Sequence, residues 1–123
     1  MKEFFLVFCG AGLGGTLRFA VIRFMAQFVT ANYYAIFICN LVGCFLAGMI
    51  LSYIMMRQGQ SWINLFFITG LAGGFTTFSA FSVDAIQMLQ KSDFTTAIFY
   101  IMGSVIAGLV FCGAGIFAGK AVF

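Results

Sequence analysis

Four long apolar runs, roughly 4–26, 33–56, 62–89 and 94–118, take up most of a 123-residue chain. A hydrocarbon core about 30 Å thick takes about 20 helical residues to cross, so each run is long enough for a span. The runs are continuous and lack the two-residue alternation of barrel strands, which favours helices. Between them lie short breaks at 29–32, 57–61 and 90–93. Composition agrees: 63% of residues are hydrophobic and 7% are charged, whereas soluble domains carry about 25% charged residues. Mean hydropathy is +1.13. The expected fold is an all-α membrane protein with four transmembrane helices, residues 1–123 forming one domain. The first helix is expected to be retained, because no small-x-small cleavage site precedes a soluble region.

Charge narrows the functional classes. A net charge of +3 without a basic cluster gives no nucleic-acid signal. With four spans, Lys2, Arg57 and Lys120 fall on one side of the membrane and Arg23 and Lys91 on the other. This is too even a split for the positive-inside rule to fix one orientation. Either other cues set the topology, or the chain inserts both ways up, in which case an antiparallel homodimer with a two-fold axis in the membrane plane becomes possible. The cysteines, Cys9, Cys39, Cys44 and Cys112, form no C-x-x-C pair and the chain has no histidine, so a zinc or haem ligand set is absent. They read as small buried hydrophobes. Of three carboxylates, Glu3, Asp84 and Asp93, only Asp84 lies in a span, which makes acid–base enzymology hard to build.

Small residues four apart, Gly10/Gly14, Ser104/Gly108 and Gly115/Gly119, suit close helix approach in lipid. Polar groups inside spans cost free energy there and carry the functional signal. Arg18 reads either as an interfacial anchor, its side chain reaching towards the Arg23 end, or as a positive charge at the mouth of an anion path. Asn40 reads either as interhelical glue or as a donor to a ligand. Tyr100, Ser104, Gly108 and Cys112 trace one helical face.

The densest polar run is GGFTTFSAFS at 73–82. Gly73-Gly74 predicts a broken helix, with Thr76 and Thr77 suited to capping the restart. Non-helical backbone at this depth survives only inside protein or facing water, and transporters use such breaks to bind ions. Phe75, Phe78 and Phe81 recur every three residues, interleaved with Ser79 and Ser82.

GLAGGFTTFSAFS resembles the third-helix signature of the Fluc (CrcB) fluoride channels. Gly14 to Arg18 before Phe19, the Asn40, Gly43, Phe45 and Gly48 spacing, and Tyr100 with Ser104 are similar to that family in the same order. The resemblance implies an antiparallel dual-topology homodimer in the inner (plasma) membrane, passing fluoride passively through two pores. It assigns the fluoride path to Asn40, Phe78, Ser79, Phe81, Tyr100 and Ser104. Arg18 takes a vestibule or structural place, and the backbone carbonyls of Gly73 and Thr76 bind a central structural sodium ion. Ala80 and Ile36 stand where threonine is common in the family, and Gly108 lacks a hydroxyl found in some relatives.

The physics fits that reading. Fluoride is strongly hydrated, and a pore has to replace its water with donors. The Asn40 amide, the hydroxyls and the positive edges of phenyl rings are such donors. Two other classes fit less well. A small multidrug-type proton exchanger needs a carboxylate inside the first helix, where this chain has Arg18. A purely structural assembly subunit leaves the polar third span unexplained.

Overall fold

In a computed structural model, which describes residues 1–57 and 61–123, the chain forms helices that fall into four long spans. Helix α1 is Lys2–Met25 and α2 is Asn32–Met56. The third span, Ser61–Gln90, is composite. Its first half, α3 (61–75), opens with a turn of α-helix, winds as a π-helix over Asn64–Ala72, and closes with the α-helical turn Gly73–Phe75. Its second half, α4, is Phe78–Gln90. The last span, α5, is Phe94–Val122. These bounds follow the four apolar runs closely. The expected break at 57–61 falls partly on residues 58–60, outside the described residues.

The connection from α4 to α5 shows how so short a loop closes. Ser92 takes a left-handed φ of 59°, and its N–H reaches Leu89 O at 3.0 Å while Asp93 N–H reaches Met88 O at 3.0 Å. This paired C-terminal motif satisfies carbonyls that the helix end would orphan. Asp93 then caps α5 by accepting from Thr96 N at 3.2 Å.

Glycines set the packing. Two seams run through the bundle, each between helices pointing the same way. In the first, a Cβ on Gly10 would strike Phe66 O, one on Gly14 would strike Leu71 O, and one on Gly74 would strike Ala11 O; α1 therefore lies backbone-to-backbone against α3. In the second, a Cβ on Gly48 would strike Cys112 O and one on Gly115 would strike Phe45 O, while one on Gly119 would come within 2.8 Å of the Ser52 Cβ. That joins α2 to α5. The Gly10/Gly14 and Gly115/Gly119 spacings thus do the close packing expected of them. Gly12, Gly103 and Gly113 face open space.

The interior is thin and built of small side chains such as Ala35, Cys39, Ala85 and Ala97, whereas Phe4, Phe8, Leu109 and Phe117 point outward. Such a surface is stable only where the surrounding solvent is itself apolar. At one end of the bundle the Arg57 guanidinium sits 5.9 Å above the Tyr53 ring, which packs edge-on against Phe123. At the other end Lys91 shares a cavity with Thr30, Ala31 and Asn32. Arg57 and Lys91 therefore lie at opposite ends, as the alternation of spans requires.

The structure corrects one expectation. Gly73 is α-helical, with φ −62° and ψ −36°. The chain leaves the helix three residues later, at Thr76 and Thr77. Gly74 is small because α1 touches it, not because the backbone bends there.

The seams give a paired test. Gly14→Ala forces a methyl into Leu71 O and Phe75 N, an overpacking that costs about 1–3 kcal/mol, whereas Gly12→Ala meets nothing. Thermal unfolding of the detergent-solubilised protein is expected to shift clearly downward for the first and to stay unchanged for the second.

Candidate functional site

The break in the third span is defined by where its backbone hydrogen bonds go. Thr76 (φ −80°, ψ 156°) and Thr77 (φ −149°, ψ 118°) are extended. Thr76 still belongs to the helix behind it: its N–H donates to Ala72 O at 2.9 Å and its hydroxyl donates to the same carbonyl at 2.8 Å. Thr77 has left that helix. Its N–H donates to Asn40 Oδ1 at 2.8 Å, and its carbonyl accepts from Asn40 Nδ2 at 3.3 Å. One amide side chain on α2 thus pairs with both polar groups of a single backbone residue, as a neighbouring strand would.

The restart is capped from within. Thr77 Oγ1 accepts from Ala80 N at 3.3 Å and lies 3.2 Å from Ser79 Oγ. In an unbroken α-helix Thr77 N–H would pair with Gly73 O, and Ala80 N–H with Thr76 O. Here both donors are engaged elsewhere, so the Gly73 and Thr76 carbonyls lose those partners. Gly43 makes room for this turn, since a Cβ on it would collide with Thr76 Cγ2.

Beside the break, between α2, α4 and α5, lies a groove of about 250 Å³. Its walls bring together Asn40, Phe78, Phe81 and Ser104 with Thr76 and Thr77. The Ser104 Oγ is buried and has no hydrogen-bond partner, a costly arrangement for a hydroxyl. The Phe78 and Phe81 ring centroids are 5.6 Å apart and tilted by 38°. Phe78 is 80% exposed, so most of its ring faces the surroundings.

Tyr100 joins this group through its ring, 5.2 Å from that of Phe81. Its hydroxyl donates to Asp84 Oδ2 over a long 3.5 Å, and its ring lies 5.6 Å from that of Tyr33 at an interplanar angle of 65°. Tyr33 and Asp84 in turn line a polar vestibule of about 380 Å³, shared with Lys91, Asp93 and Thr96. A column of four rings, Tyr33, Tyr100, Phe81 and Phe78, therefore links the vestibule to the groove.

Other residues singled out in the sequence lie apart. Ser79 is exposed and bonds back to Thr77. Arg18 is partly buried on α1 and does not line the groove. Gly73 is exposed at the end of α3. The phenylalanine stripe is divided by the break: Phe75 lines a separate apolar cavity of about 350 Å³ with Leu17, Gly43 and Leu71. Ile36, one turn before Asn40, is buried. Cys44 lines the groove, a position its reading as a bland buried hydrophobe missed. Its spacing of one helical turn from Asn40 is the signal that would have found it.

The profile of the family described as "CrcB-like protein, Camphor Resistance (CrcB)" matches residues 5–116. The chain is 38% identical over 122 residues to the fluoride-specific ion channel FluC of Flavobacterium psychrophilum, covering 98% of both chains. It is 38% identical over 118 residues to FluC of Methylobacterium nodulans, covering 94% of each. FluC 2 of Nitrobacter hamburgensis is 39% identical over 123 residues, with 98% of this chain and 95% of that one covered.

The Asn40–Thr77 pairing makes a specific claim on stability. Asn40→Leu strands the N–H and C=O of Thr77, each unmet group costing about 1–3 kcal/mol. The expected result is a lowered unfolding temperature together with faster amide exchange at Thr77. Thr77→Val keeps the Asn40 pairing but removes the cap and the Ser79 contact, and is expected to cost about 1 kcal/mol.

Proposed function

The chain belongs to the CrcB family, and from that membership we propose that it is a fluoride-selective channel through which the ion passes passively down its gradient. It moves an ion across a multi-pass membrane protein and transforms no substrate. The observation that carries the reading is the groove beside the break, where the partnerless Ser104 hydroxyl, the Asn40 amide and the Phe78 and Phe81 rings share one wall.

Fluoride gives up its hydration shell only to donors. Ser104 has a hydroxyl hydrogen to give. Asn40 Nδ2 carries two hydrogens, and the bond to Thr77 O uses one of them. Ring edges add positive potential without charge, which suits an ion that has to leave as readily as it arrives. The restarting helix α4 adds the positive end of its dipole at Phe78. Tyr100 hands the path towards the vestibule, and Ser79 offers a further hydroxyl on the exposed flank of α4.

The finer features are part of the same proposal. The Gly73 and Thr76 carbonyls, deprived of their helical donors, are the groups that would hold a sodium ion, and the positive potential of that ion would act on the groove without lying in it. The near balance of basic residues between the two ends supports insertion both ways up. The functional unit is then an inverted pair of single-domain chains in the inner membrane, each break facing the other. Arg18, partly buried near one end of α1, serves as an anchor or vestibule charge.

Liposomes loaded with fluoride or chloride test the reading. Reconstituted protein is expected to release fluoride rapidly and to retain chloride, as followed with ion-selective electrodes. Equal release of the two anions, or release of neither, refutes it. Phe81→Ile or Phe78→Ile is expected to slow fluoride efflux about tenfold or more, equivalent to about 1.4 kcal/mol of added barrier.

A further inference from the structure

Cys44 is a groove residue whose chemistry anion conduction leaves unused. Its Sγ lies 3.6 Å from the point where a Cβ on Gly108 would sit, so it fills the space that the missing side chain leaves on α5. One turn beyond Gly108 on the same face comes Cys112. Helical side chains lean towards the N-terminus and lie over the preceding turn, so the Cys112 thiol leans over Gly108 as well. The register of the seam fixes this meeting, because Gly48, one turn beyond Cys44, is pressed against the Cys112 carbonyl. Both cysteines are free and partly buried, and neither is sealed in the core as Cys39 is. Cys44 and Gly108 both line the groove, and the seam register sets Cys112 one turn behind Gly108, with its side chain directed towards the same gap.

We propose that Cys44 and Cys112 form a two-thiol site for a soft, linearly coordinating divalent cation of the Hg2+ class, and that its occupation obstructs the groove. Soft sulfur ligands select soft cations. Binding breaks two S–H bonds and the metal's bonds to its two chloride or water ligands, forms two metal–sulfur bonds, and releases two protons and those ligands to water through the groove. The product is electrically neutral, which avoids the cost of leaving a net charge in low dielectric. No oxidant or reductant is needed. The obstruction rests on the channel reading above, whereas the binding does not.

Mercuric chloride is the probe. In detergent, the purified protein is expected to lose two titratable thiols for the first Hg2+ bound, with the charge-transfer absorption of a metal bis-thiolate. A Cys9→Ser/Cys39→Ser variant is expected to keep that behaviour, and Cys44→Ser or Cys112→Ser to lose it. One thiol lost per Hg2+ in the unaltered protein, or a two-thiol signature surviving in Cys112→Ser, overturns the site. In liposomes, Hg2+ is expected to abolish fluoride efflux from the unaltered protein and to leave efflux through Cys44→Ser at that variant's own metal-free rate. Efflux that persists from protein shown to hold the metal overturns the obstruction. Absent fluoride efflux without metal is a failure of the channel reading alone and leaves the thiol titration to decide the site.

Discussion

Backbone polar groups have nowhere to turn inside a bilayer, and this constraint governs the whole molecule. Each unpaired N–H or C=O there costs several kcal/mol, yet the third span is interrupted at Thr76 and Thr77. The interruption survives because most of the groups around it are assigned. Asn40 takes both polar atoms of Thr77, the Thr77 hydroxyl takes Ala80 N–H, and the Thr76 hydroxyl folds back on Ala72 O. What is left over, the Gly73 and Thr76 carbonyls and the N-terminus of α4, is concentrated in one place. A break that was merely flexible would scatter these groups, and one that was fully paired would have nothing to offer an ion.

That local solution depends on packing elsewhere. Asn40 reaches Thr77 only because Gly43, one turn along α2, lets Thr76 approach. The position of α2 against α5 is set by Gly48 and Gly115, each touching the opposite backbone, and that register carries Ser104 to the same groove as Asn40. The other seam, Gly10 and Gly14 against α3, fixes the first half of the broken span. Chemistry at the break is therefore positioned by glycines one or more turns away, which is why a methyl group there acts at a distance.

The sequence made much of this legible. Apolar runs of span length are the strongest periodic signal a chain can carry, and the observed helices fall on them. The break was legible as a region but not to the residue, because glycine marks both conformational freedom and close approach; at Gly74 the neighbouring Ala11 carbonyl decided between them. The π-helix over Asn64–Ala72 has no compositional signature in this run of apolar residues. Asn40 was legible as a polar residue with a task, but its partner was not, because a pairing across 37 residues depends on the register of two helices. Cys44 escaped because a cysteine in an apolar run looks like any other small hydrophobe until a facing glycine opens a cavity beside it.

The double use of Asn40 bears on selectivity. An amide that only lined a pore could rotate to suit anions of different size. This one is held at both ends, by Thr77 N–H on its oxygen and Thr77 C=O on its nitrogen, so its remaining hydrogen points in a direction the backbone dictates. On the channel reading, a larger anion would have to push that amide aside and thereby release two backbone groups into hydrocarbon, at about 1–3 kcal/mol each. A small anion fits the donor where it already is. On that reading, the bond that stabilises the break would also make the groove resist widening, so discrimination by size would follow from the folding constraint itself, without any charged residue lining the groove.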